Sequence, residues 1–122
     1  MISPAELKAN NASTIVLVNN DGMGTAEEPL RHKLLRVYLT MLLENSLYPG
    51  AICFYADGVK MVAEGSPVID LLHTLEEKGV RLIICSTCLQ YFGLTDKVAA
   101  GIVGGMSDIV LAQWMANKVI TL

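Results

Sequence analysis

Leu82-Ile83-Ile84-Cys85-Ser86-Thr87-Cys88-Leu89-Gln90-Tyr91-Phe92-Gly93-Leu94 is the stretch that decides the fold. Its apolar start reads as a strand covered on both faces, the kind found in parallel sheets. The strand ends on a cysteine, and a second cysteine follows three residues later, where the chain turns into a helix. Two thiols at the carboxyl end of a core strand stand where open α/β sheets place their chemistry.

Working outward, the same strand-to-helix alternation recurs along the chain. Thr14-Ile-Val-Leu-Val18 is β-branched and continuously apolar, and Asn19-Asn-Asp-Gly-Met-Gly24 breaks it. Glu27, Glu28 and Pro29 suit a helix start, and Leu30, Leu34, Tyr38, Met41 and Leu42 recur at helical spacing as far as Pro49-Gly50. Ala51 to Tyr55 is a second buried strand, closed by Asp57-Gly58, with a short helical turn over Val59 to Ala63. Ser66-Pro67 reads as an N-cap followed by proline at the first helical position, and Lys78-Gly79 as the end of that helix. Beyond the cysteines, the pattern predicts a short helix over Thr95 to Ala100 and a short strand over Gly101 to Gly104. It then predicts a helix capped by Ser107-Asp108 and running to Asn117, and a last strand from Lys118 to Leu122. The order β-α-β-α-β-α-β-α-β predicts an α/β fold with a mostly parallel sheet, helices on both faces and right-handed crossovers.

The chain has 122 residues and no break in composition, so one domain is expected over 1–122, with residues 1–13 as an N-terminal extension. Apolar residues make up 52% and charged residues 17%, which is rich for a monomer and suggests that apolar surface is shared between subunits. The net charge is −3 and the nine Lys and Arg are scattered, leaving no basic patch for nucleic acid. Met1 to Ser13 lacks the apolar run of a signal peptide. The apolar runs elsewhere fall well short of the roughly 20 residues a membrane helix needs. An odd count of three cysteines does not build a secreted disulfide framework, so a cytoplasmic protein with reduced thiols is expected.

Thiol chemistry needs the thiolate, and free backbone amides or a Cys-x-x-Cys partner favour that form. Cys85 is expected at the mouth of its loop, with Cys88 in or just after the first helical turn. The alternative is two buried structural thiols, since free cysteine packs well in cores. Zinc is a weaker reading: one Cys-x-x-Cys supplies two ligands of four, and only Cys53, His32 and His73 remain. Cys53, mid-strand, reads as core, and no metal or cofactor is expected. The loop Asp21-Gly22-Met23-Gly24-Thr25 lacks both Gly-x-Gly-x-x-Gly and Gly-Lys-Ser/Thr, and two glutamates follow it. It reads either as an ordinary turn or as one wall of a crevice around Cys85, with Met23 as an apolar lid and Gly24 allowing close backbone approach. Asp57 leaves a neighbouring strand, facing the same crevice or simply forming a turn. Tyr91 and Phe92 either wall the pocket or pack between subunits.

These pieces resemble the DsrE/DsrF-like sulfur-relay family, and most closely its YedF-type branch. The resemblance is carried by Met23-Gly24, Phe54-Tyr-Ala-Asp-Gly-Val-Lys60, Glu64-Gly65-Ser66, Leu75-Glu-Glu-Lys-Gly-Val80, Lys118-Val-Ile-Thr121 and, above all, Cys85-Ser-Thr-Cys-Leu-Gln-Tyr-Phe-Gly-Leu94. It implies a three-layer α/β/α domain with a parallel five-stranded sheet, assembled as a homo-trimer or hexamer. It implies a sulfur-carrier or sulfurtransferase-like function, with Cys85 matching the family's persulfide-bearing cysteine and Cys88 the additional cysteine of the YedF-type branch. Related proteins often carry a TusA-like domain upstream. Only about a dozen residues precede the first strand here, so a separate, possibly TusA-like, sulfur donor or acceptor protein is the expected partner. Two readings of other classes stand beside this one. One is an oligomeric binding module whose thiols sense oxidation. The other is a thioredoxin-like reductase, which the late position of the Cys-x-x-Cys disfavours.

Overall fold

The computed structural model describes residues 3–122. Five strands form one sheet in the order β4-β3-β2-β1-β5. They are β1 (Thr14–Val18), β2 (Ala51–Phe54), β3 (Arg81–Cys85), β4 (Ile102–Gly104) and β5 (Lys118–Thr121). Every pairing is parallel, with Val16 opposite Ile52 and Ile52 opposite Leu82 in the central three strands. Their side chains alternate between two buried faces, which is why β1 and β2 read as unbroken apolar runs.

The helices are α1 (Pro4–Ala12), α2 (Glu28–Glu44), α3 (Ile69–Glu77), α4 (Ser86–Tyr91) and α5 (Met106–Met115). One sheet face carries Val16, Ile52, Phe54, Leu82 and Ile84 and is covered by Leu35, Leu39 and Leu42 of α2 with Leu72 and Leu75 of α3. Each such side chain contributes about 1.5–3 kcal/mol on burial. The other face carries Ile15, Leu17, Cys53, Ile83 and Cys85, and among the described residues its main cover is α5, through Ile109 and Ala112, with the C-cap Ala116 and with Cys88 of α4 at the rim. The two faces are therefore unequally covered. The chain steps from β1 to β4 in one direction and then returns by α5 to pair β5 with β1. The strand order thus reverses beside β1.

Several boundaries differ from the sequence reading. The expected N-terminal extension is largely a helix: Ser3 Oγ accepts the Glu6 N–H at 3.1 Å and Pro4 opens α1, whereas Met1 and Ile2 lie outside the described residues. Pro67 is not the first helical residue. Ser66 Oγ accepts the Val68 N–H at 3.3 Å, and the resulting turn delays α3 to Ile69. The helix expected over Thr95 to Ala100 is a single 3-10 turn, Thr95–Lys97, because Val98 then bridges to Ala63. α5 starts before the predicted Ser107-Asp108 cap, at Met106 after Gly105, whose N–H donates to Asp108 Oδ2 at 2.9 Å. It ends at Met115 rather than at Asn117. Among the described residues, no helix is long and apolar enough to cross a membrane.

Candidate thiol site

β3 delivers Cys85 to the carboxyl edge of the sheet, and α4 begins at the next residue. Strand alternation sets the direction of its side chain. Cys85 shares a face with Ile83, two residues earlier, and so points under α5, where it is 0% exposed. The expected position at the mouth of the loop is therefore not where its sulfur lies. Cys88, three residues on in the first turn of α4, is half-buried and touches both apolar clusters, so it lies at the seam between the layers. Both thiols are free.

A second loop reaches this seam. β2 ends at Phe54, Tyr55 is extended, and Ala56 adopts a left-handed φ of 51° at the start of a 3-10 segment, Ala56–Val62. A left-handed alanine is strained, and such strain persists where surrounding structure enforces it. Here the Tyr55 N–H donates to Val18 O at 3.1 Å, and Gly58 presses against the Val18 carbonyl so closely that a Cβ would overlap it. The turn aims the Ala56 N–H at Cys88 Sγ, 3.2 Å away. Ala56 was not legible as a site residue, because any residue type supplies a backbone N–H. Its left-handed turn lies inside the Tyr-Ala-Asp-Gly segment, whose Asp-Gly was the available cue.

The electrostatics of the pair are opposed. Burial pushes the Cys88 thiol above its ordinary value, and the hydrogen bond to the neighbouring Cys85 thiol pushes the same way. The Ala56 N–H pulls it down, because a donor aimed at sulfur favours the thiolate. Cys53 shares the α5-side face with Cys85 but sits mid-strand. Burial raises its thiol to about 11 against a smaller opposing effect of Arg81, which suits a core residue rather than a nucleophile.

The other residues singled out from the sequence spread around this edge of the sheet. Met23 is half-buried and packs on the α2-side core, while Gly24 is exposed with φ 79°. Asp57 pairs with Lys60 at 2.7 Å, and the Lys60 ammonium lies 4.6 Å from the centre of the Phe92 ring. That ties the 3-10 segment to α4 and its C-cap, next to Cys88. Tyr91 points outward at 84% exposure and meets Phe92 edge to face, with ring centres 5.2 Å apart. The structure thus joins Cys85, Cys88 and the Ala56–Lys60 segment, with Tyr91 turned outward from them. A cavity of about 480 Å³ lined by Leu7, Asn11, Tyr48 and Lys78 lies at the opposite, amino-terminal end of the strands, away from both thiols.

Three solved structures share the architecture. The ychN protein from E. coli is 22% identical with a TM-score of 0.66, over 89% of this chain and 98% of that one. MTH1491 from Methanobacterium thermoautotrophicum, a protein of unknown function, is 22% identical with a TM-score of 0.64, over 89% and 97%. BT1422 from Bacteroides thetaiotaomicron, also of unknown function, is 19% identical with a TM-score of 0.63, over 93% and 97%. No curated protein matches significantly. A profile of the DsrE/DsrF-like family matches residues 12–122, which include all five strands and both thiols of the Cys-x-x-Cys turn, and the chain belongs to that family.

Proposed function

We propose that this chain is a sulfur carrier that holds sulfane sulfur as a persulfide on the Cys85/Cys88 pair. The observation that carries the reading is the Ala56 N–H at 3.2 Å from Cys88 Sγ, a backbone donor placed where an anionic sulfur would sit. Family membership supplies the sulfur-relay context.

The geometry favours a division of labour that differs from the expectation for Cys85. Cys88 is the thiol a donor meets first, because Cys85 is buried beneath α5. The Cys88 thiolate attacks the terminal sulfur of a donor persulfide, forming the Cys88 persulfide and releasing the donor thiolate. An acceptor thiolate then takes the outer sulfur and restores the Cys88 thiolate. In the absence of an acceptor, the Cys85 thiolate attacks Cys88 Sγ, expelling hydrosulfide and leaving a Cys85–Cys88 disulfide. In that branch the pair is oxidised by two electrons and the sulfane sulfur is reduced.

The test is intact-protein mass spectrometry after exposure to a low-molecular-weight persulfide. The wild type should gain about 32 Da, one sulfur atom. Cys88→Ser should lose the adduct, and Cys85→Ser should keep it longer, having no resolving thiol. An adduct that survives Cys88→Ser and disappears in Cys85→Ser reverses the roles. No adduct in any form overturns the carrier reading. If the wild type forms only a reversible disulfide and never takes up sulfur, the pair is an oxidation sensor instead.

A further inference from the structure

The loop leaving β1 is built more firmly than a connecting turn requires. Arg31 of α2 reaches back into it, with Nε donating to Asp21 O at 3.2 Å and one terminal nitrogen donating to Ala26 O at 2.8 Å. Its other terminal nitrogen pairs with Asp21 Oδ1 at 2.9 Å. The Met23 N–H donates to Arg31 O, and Asn20 Nδ2 donates to Gly24 O at 2.7 Å. Gly22, at φ 141°, lies so close to Arg31 that a Cβ would come within 2.6 Å of its carbonyl oxygen. The Asp21 carboxylate is therefore fixed in place, with Oδ2 outside the ion pair.

Next to it, Glu28 and His32 stand one helical turn apart on α2, a spacing that puts both side chains on one face. One oxygen of Asp21, one oxygen of Glu28 and one imidazole nitrogen of His32 all lie within 4.8 Å of one another. A separate observation concerns His32 alone: its Nε2 is buried and has no hydrogen-bond partner in the protein. A buried polar atom without a partner is costly, so it marks a place where a partner is missing. The cluster also lies beside β1, where the strand order reverses and open parallel sheets bind their ligands.

We propose that Asp21, Glu28 and His32 form a binding site for a divalent first-row transition-metal ion of the zinc class. Two carboxylate oxygens and one imidazole nitrogen are the donor set such ions accept, with water completing the coordination. With Asp21 held by Arg31, rotation of the Glu28 and His32 side chains on α2 would have to bring their ligand atoms in from the present separation. The guanidinium of Arg31 beside Asp21 offsets part of the negative charge, which weakens cation binding relative to a closed structural site. The site uses neither cysteine and stands independently of the sulfur-carrier reading.

Cobalt(II) is the probe, added to the full chain carrying Cys85→Ser and Cys88→Ser so that the thiols cannot supply ligands. The expected result is one equivalent bound per chain in calorimetry, visible d–d absorption and a rise in melting temperature. Glu28→Gln removes an exposed ligand without touching the core and should weaken binding by about tenfold or more. His32→Gln should abolish the melting shift, its own metal-free melting temperature serving as the check on folding. The proposal is overturned if cobalt at about 100 micromolar fails to bind the chain carrying Cys85→Ser and Cys88→Ser, in which the remaining Cys53 is buried mid-strand. Binding that is unchanged in both Glu28→Gln and His32→Gln overturns it equally.

Discussion

At the scale of the residue, the two thiols of the Cys-x-x-Cys turn are unequal for reasons of strand geometry. Cys85 follows the alternation of β3 into the α5-side core, while Cys88 is carried to the seam and receives the Ala56 N–H. The raised Cys88 thiol has a direct consequence for its reactivity. Below its folded-state value the thiol is protonated and slow, so its iodoacetamide alkylation should rise with pH and reach half its maximum above the ordinary thiol value. Cys85→Ala removes a hydrogen bond and a neighbouring charge that both raise Cys88, so the midpoint should move down. Peptide-resolved alkylation rates from about pH 7 to 11 check both statements; a midpoint that stays put in Cys85→Ala would show that the thiols do not interact. The spacing of the cysteines was legible in the sequence because it is a property of side chains. The donor at Ala56 was not, because it belongs to the backbone and its left-handed turn falls on an alanine rather than on the nearby Gly58.

At the scale of the element, legibility followed hydrophobic periodicity. β1 to β3 and α2 declared themselves because each carries a run or a regular stripe of buried apolar residues, though on α2 that stripe is Leu35, Leu39 and Leu42, with the Leu30, Leu34 and Met41 of the sequence reading exposed. α1 buries no residue, so only its cap signals, Ser3, Pro4 and Glu6, were available, and these do not suffice without an apolar face. α5 is the opposite case, apolar around most of its circumference yet held to the sheet by one fully buried side chain, Ile109. Ile109→Ala should therefore cost about 3 kcal/mol in denaturant unfolding, at the level of a large core truncation. The same change should expose Cys85 by loosening the helix that covers it, and its alkylation rate at pH 8 should rise. An unaltered Cys85 rate in a destabilised Ile109→Ala protein would mean that α5 is not what shields this thiol.

At the scale of the whole molecule, the unequal covering of the sheet explains the apolar composition. Trp114 and Met115 of α5 are 84% and 76% exposed, Ile102 on the edge strand β4 is 68% exposed, and Leu111 is 60% exposed. A helix that is apolar all round is one that expects to be buried, and isolated soluble domains seldom leave so much of such a surface in water. The composition led to an expectation of shared surface. It did not indicate where the exposed apolar side chains would lie, because that depends on α5 being the main cover, among the described residues, on its side of the sheet. Self-association through this face is the outcome the exposure supports, and it would close off the layer under which Cys85 lies while Cys88 stays at the seam. Trp114→Lys with Leu111→Lys places two charges in the centre of that face without disturbing Ile109. Light scattering coupled to size exclusion should find wild-type chain at a multiple of the single-chain mass and the double variant at the single-chain mass. A wild type that elutes as one chain across micromolar concentrations removes the assembly, and the exposed α5 face would then belong to a different protein, such as a donor or acceptor of sulfur. If the double variant stays assembled, the contact lies elsewhere, with the β4 edge and Ile102 the next surface to charge.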